Sequence, residues 1–131
     1  MLMLDRITDL EPRRSARALK CVSYSEPWFQ GQSPDSLLLP PVLCLEAISQ
    51  LMCVLACASD AMVPEHQVFN LAGADKVKFR YSIKPGDQMK ISVNVLEQRA
   101  NIWKCQGRIH VQDTLCVEAE ILAAVQGRNG D

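Results

Sequence analysis

Apolar residues along this chain keep two different periods, and the change from one to the other marks out its parts. From Ala16 to Val22 they partly alternate with Arg17, Lys20 and Cys21, which predicts a strand over residues 15–24 stopped by Pro27. From Pro40 to Ser59 nearly every position is apolar, and the run is too long for a strand. Prolines 40 and 41 suit a first helical turn, where a missing N–H costs no helical bond, so a helix is predicted over about Pro40–Ser59. Alternation then returns. Val77, Phe79, Tyr81 and Ile83 face away from Lys76, Lys78, Arg80 and Ser82, and Met89, Ile91, Val93 and Val95 face away from Lys90, Ser92 and Asn94. Strands are predicted at Gln67–Ala72, Lys76–Ile83, Met89–Leu96, Ile102–Val111 and Leu115–Val125. Reversals are expected at Pro85-Gly86-Asp87, Ala100-Asn101 and Gln112-Asp113. Residues 1–11 read as a short segment packed on the core, and Gln126–Asp131 as a polar, frayed tail. One helix with five or six mostly antiparallel strands is an α+β fold, and the helix must be the layer that covers the sheet.

Inside the apolar run, Glu46 is the exception, with Gln50 one turn later on the same face. A helix apolar nearly all round is expected to be buried. A carboxylate within it is costly unless it is paired, neutralised or used. Glu46 is therefore the first candidate for chemistry, with a structural carboxylate as the plain alternative.

Length and charge narrow the classes. The 131 residues suit one domain, 1–131, large enough for a core without metal or disulfide staples. A net charge of −1 leaves no electrostatic footprint for nucleic acid. The apolar run is too short, and too interrupted by Glu46 and Gln50, for a membrane span. The first residues lack the order of a signal peptide, so a cytoplasmic protein is expected. Cys21, Cys44, Cys53, Cys57, Cys105 and Cys116 form no C-x-x-C, and neither His66 nor His110 lies near them in sequence. They read as reduced, small apolar filler, with no metal site and no cofactor expected.

The stretch around the helix start carries a family pattern. Phe29, Gly31, Pro34, Pro40, Val42, Glu46, Ala47 and Gln50 fall on the motif F-x-G-H-F-P-x-x-P-x-x-P-G-V followed by E-A-x-x-Q. In this the chain resembles the β-hydroxyacyl-acyl carrier protein dehydratases of fatty-acid synthesis, the FabZ-type hotdog family. The likeness spans nearly the whole chain: Leu4-Asp5-Arg6-Ile7, Lys20 to Pro27, Phe79-Arg80 through Pro85-Gly86-Asp87, Ile102-Trp103-Lys104, and Val117 to Glu120. It implies a hotdog, a long central helix wrapped by an antiparallel sheet.

The resemblance also implies a reaction, loss of water from a 3-hydroxyacyl thioester on acyl carrier protein. A loop His takes the proton beside the carbonyl, and a helix Glu from the other subunit of a dimer protonates the leaving hydroxyl. Backbone N–H groups at the helix start hold the carbonyl oxygen. Here Gln32 stands at the His position, Ser33 at the following Phe, Leu37 at a Pro, and Pro41 at the Gly whose N–H faces the oxygen. An amide has no useful proton affinity near neutral pH, and proline has no N–H. Losing one oxyanion donor alone costs about a hundredfold to a thousandfold in rate.

Glu46 remains as the acid, with Gly31, Gln32, Ser33, Pro41, Val42 and Gln50 expected to line the substrate site. The expectation is a partner subunit, impaired alone, that lends Glu46 to a heterodimer with an intact dehydratase paralogue. A homodimer or a trimer of dimers is also compatible with the family. Two alternatives stand beside it: a thioesterase-type enzyme using Glu46, and a non-catalytic protein that binds acyl-acyl carrier protein. Lys76, Lys78, Arg80, Lys84 and Lys90 form a basic strip, read either as a solvated sheet face or as a dock for the acidic carrier. No spacing supports His66 or His110 as a replacement base.

Overall fold

The computed structural model describes residues 3–128. Six strands form one antiparallel sheet: β1 Arg6–Glu11, β2 Ser15–Cys21, β3 Gln67–Phe79, β4 Gln88–Arg99, β5 Ile102–Val111 and β6 Thr114–Gly127. Their order across the sheet is β1-β2-β4-β5-β6-β3. Between β2 and β3 runs the long helix α1, Pro41–Ala58, preceded by a 3-10 turn at Pro27–Phe29. The sheet closes over the helix as the α+β reading requires, and the fold is a hotdog.

The helix buries Cys44, Ala47, Ile48, Leu51, Met52, Leu55 and Ala56. That is the i, i+3, i+4, i+7 stripe of a helix packed on one side. Against it stand the inward residues of the strands, among them Ala16, Ala18, Met89, Ile91, Val93, Trp103, Cys105, Ile109 and Ile121. The tightest contact lies at the sheet centre. A Cβ on Gly107 of β5 would sit 2.5 Å from Ile48 Cγ2, so the strand's missing side chain is what admits the helix.

Three expectations change. The segment expected at 1–11, of which residues 1 and 2 lie outside the described residues, does more than pad the core: Met3 and Leu4 are buried, but 6–11 form an exposed edge strand paired to β2. An edge strand is held by backbone hydrogen bonds and needs no apolar alternation, so its pattern was silent. The stretches 67–72 and 76–83 are not two strands. They join as β3, which shifts register against β6 between Leu71 and Gly73 and between Asp75 and Lys78. These irregularities break the sequence period while the ladder continues. Tyr81 lies past the end of β3 and is 63% exposed, not inward with Val77. Gln126 and Gly127 belong to β6 rather than to a tail, and 129–131 lie outside the described residues. The predicted reversals at Pro85-Gly86-Asp87, Ala100-Asn101 and Gln112-Asp113 lie between strands where expected. Gly86 has the positive φ of +97° its turn needs.

The β5 contact sets a stability test. Ile48 is fully buried and stiff at its β-branch, so it yields little. Gly107→Ala should destabilise the chain by about 1–3 kcal/mol in urea unfolding. Ile48→Ala, which vacates the colliding atoms, should make the same glycine substitution much less harmful. Equal effects in both backgrounds would show that the contact is not the limiting one.

Candidate functional site

The loop before the helix is held from below by a nearly buried ion pair. Lys20 points inward from β2 beside Ala16 and Ala18, and its ammonium meets Glu26, with Asp5 also 3.8 Å away. The side chains of Lys20 and Glu26 are only 10% and 12% exposed. An inward lysine in an otherwise small, apolar series was the available sequence signal, but its partner lies in a loop that periodicity does not describe. Glu26 leads into the 3-10 turn, which buries Phe29. Gly31 then takes a φ of +84°, the left-handed region that favours glycine.

Gln32 follows, and its amide is wholly committed to the loop. Nε2 donates to the Trp28 carbonyl at 2.9 Å and the Leu38 carbonyl at 3.1 Å, while Oε1 accepts from the Leu38 N–H at 3.0 Å. The side chain thus bridges the two arms of the loop, with both ends of its amide hydrogen-bonded to backbone. Ser33 is exposed on the same loop. Leu39 N–H donates to the Ile83 carbonyl at 2.7 Å and ties the end of the loop to the segment after β3.

The helix begins with two residues that carry no N–H, Pro40 at the N-cap and Pro41 in the first turn. The turn tightens, with Leu43 N–H donating to the Pro40 carbonyl at 3.0 Å. A cleft of about 140 Å³ opens here, walled by Leu38, Pro41, Cys44, Tyr81 and Ile83. Cys44 at its side is a shielded thiol, its pKa pushed up to about 12, chiefly by burial. It is therefore neutral and unsuited to nucleophilic work.

Glu46 was expected to be buried and is exposed. The sheet covers only the stripe through Ile48, and the side bearing Val42, which is 67% exposed, and Glu46 is left open in a single chain. The carboxylate is nevertheless oriented. Gln50 Nε2 donates to Glu46 Oε1 at 3.0 Å, and Gln50 Oε1 accepts from the buried Met3 N–H at 2.7 Å. The N-terminal segment, Gln50 and Glu46 thus form one chain of hydrogen bonds. Gly31, Gln32 and Ser33 lie on the loop, and Pro41, Val42, Glu46 and Gln50 on the helix it feeds. No hydrogen bond joins Gln32 to Glu46 among the described residues.

The basic strip divides. Lys76 pairs with Glu120 at 3.3 Å, while Lys78 and Arg80 share Glu118 at 3.7 and 3.0 Å. The hydrogen bond from Arg80 holds the Glu118 carboxyl below its ordinary value, with Lys78 and Arg108 adding to it. Those cations are neutralised in place. His110 sits on the outer face of β5 opposite Lys90, with the sheet between it and the helix. His66 lies in the loop after the helix's C-terminal end.

Gln32→Ala removes three hydrogen bonds and leaves backbone groups of Trp28 and Leu38 to find water. It should lower stability by about 1–3 kcal/mol and speed amide exchange at Leu38 well beyond that at core positions such as Ile91. Unchanged exchange at Leu38 would mean that the loop is held by other contacts.

Comparison with known proteins gives the family of the chain. The FabA-like domain model matches residues 1–120. A 3-hydroxyacyl-[acyl-carrier-protein] dehydratase FabZ of Sorangium cellulosum is 41% identical over 128 residues, covering 98% of this chain and 83% of the relative. The FabZ of Campylobacter concisus is 38% identical over 130 residues, covering 95% and 86%. Among solved structures, the dehydratase heterocomplex ApeI:P from Xenorhabdus doucetiae superposes with a TM-score of 0.79 at 16% identity, over 98% of this chain and 86% of that one. A thioesterase, PA1618 of Pseudomonas aeruginosa, gives 0.68 at 10% identity, over 93% and 81%. A hotdog whose loop and helix start carry most of this motif, and whose relatives align over nearly all of its length, belongs to the FabA-like, FabZ-type 3-hydroxyacyl-acyl carrier protein dehydratase family.

Proposed function

We propose that this chain is a disarmed dehydratase subunit that supplies Glu46 to a composite site, in which an intact homologue supplies the His loop. Its substrate is a 3-hydroxyacyl thioester on acyl carrier protein, in fatty-acid or polyketide and polyene synthesis, and it works in the cytoplasm as one hotdog domain. The observation that carries this reading is the contrast between the two candidate positions. Gln32 spends its whole amide on its own loop, whereas Glu46 stands open and oriented on a helix side that a single chain leaves uncovered. In the composite site the partner's base takes the proton from the carbon beside the carbonyl. The C3–O bond breaks, and Glu46 delivers the proton that turns the departing hydroxyl into water. Pro41 offers no N–H to the thioester oxygen, so that donor also falls to the partner. The fold neighbour ApeI:P, a dehydratase heterocomplex, lends support to such an assembly.

The test uses the chain alone and a doubly tagged complex with an intact FabZ homologue, purified so that partner homodimers are removed. The chain alone should not dehydrate 3-hydroxyacyl-acyl carrier protein, and the complex should. Glu46→Gln in the complex should lower kcat by about a hundredfold or more. Turnover by the chain alone, or an unaffected Glu46→Gln complex, would overturn the proposal. Release of free thiol without dehydration would favour the thioesterase reading instead.

A further inference from the structure

The outer face of the sheet carries an open groove of about 640 Å³ on the side away from the helix. Its walls include Arg17, Lys90, Ser92, Arg108, His110 and Asp113. The strand register explains how these residues meet. Arg17 of β2, Ser92 of β4 and Arg108 of β5 stand in one cross-strand row. Lys90 and His110 stand side by side in the neighbouring row of the same face. Adjacent strands lie about 4.8 Å apart, so the two arginine stems rise about 10 Å apart with a short serine between them. The serine cannot fill that gap, and a groove remains with a hydroxyl on its floor and a guanidinium on either side.

The cations here form no close ion pair, in contrast to those beside Glu118 and Glu120. Lys76, Lys78, Arg80 and Lys104 each meet Glu118 or Glu120. Among the described residues no carboxylate comes within ion-pair distance of Arg17, Lys90 or Arg108. Asp9 lies opposite Arg17 in the register, and Glu118 lies opposite Arg108 but is already held by Lys78 and Arg80. Asp113 is the acidic group of the wall itself. The groove thus gathers three cations, none of them in a close ion pair, with Asp113 as the acidic group in its wall and Asp9 and the shared Glu118 beside it. Each guanidinium presents a planar fork of donors that matches a phosphate oxygen pair, and the Ser92 hydroxyl and His110 ring add further polar groups.

We infer that this groove binds the phosphate or diphosphate group of a small molecule, with Arg17 and Arg108 gripping it from two sides above Ser92. The site is separate from the helix N-terminus and independent of the dehydratase reading.

Pyrophosphate and inorganic phosphate are the probes, titrated into the full chain at constant ionic strength and followed by amide NMR. Pyrophosphate should shift resonances of β2, β4 and β5 around Ser92 and bind more tightly than phosphate. Arg17→Ala and Arg108→Ala should each weaken it roughly tenfold or more, while Lys84→Ala, outside the groove, should not. Thermal unfolding of each variant checks that the sheet is intact. The inference is overturned if no outer-face amide shifts at millimolar pyrophosphate. It is equally overturned if folded arginine variants bind as the parent does, or if Lys84→Ala weakens binding as much as they do, since that is diffuse surface attraction.

Discussion

Helix α1 lies against the β5 backbone because residue 107 has no side chain, and Ile48 occupies the space a Cβ would need. That one approach fixes which side of an almost wholly apolar helix is inside. Turned by it, the stripe from Cys44 to Ala56 meets the sheet, and Val42 and Glu46 come to the other side. A curved sheet of one chain can cover only one side of a helix. The remaining apolar surface near the helix start, with a carboxylate set in it, is the reason the functional reading turns on a second subunit.

The loop that feeds the helix shows how a position can keep its place in a fold and change its work. A glutamine amide has a donor end and an acceptor end, and at position 32 both are used on Trp28 and Leu38. Such a side chain stiffens the loop and cannot take a proton. Below it, the Lys20–Glu26 pair anchors the loop's first residues to β2. Removing one member of such a pair strands the other charge in a poorly hydrated place, so the support of the loop is electrostatic as well as hydrogen-bonded. Two prolines then start the helix and remove two of the N–H groups that a helix start would otherwise present to an anionic oxygen.

On the outer face, residues of the same type have different fates, and register decides between them. Lys76 and Lys78 of β3, and Arg80 just past its end, fall beside Glu118 and Glu120 of β6 and are neutralised. Arg17 and Arg108 fall on either side of a serine and keep their charge. Net charge near zero for the whole chain thus hides a neutral end and a positive groove on one sheet.

Much of this was legible in the sequence. The α+β class, the helix limits to within a residue or so, the reversals, the inward face of β4 and the family motif all follow from spacing, because local period and turn chemistry act within a few residues of chain. Glu46 and Gln50 were also legible as neighbours, one helical turn apart. The edge strand β1, the continuity of β3 through its bulges and the exposure of Tyr81 were not, because backbone pairing leaves no mark on the hydrophobic pattern. Nor was the commitment of Gln32, since its partners are the carbonyls and N–H of a loop whose shape depends on the packing of Phe29 and Leu39. The sequence by itself determined which elements form and which residues carry chemical promise. Only the tertiary structure decided which side of the helix is covered, which polar groups are already spent and which cations are left without partners, because those depend on contacts between residues distant in the chain.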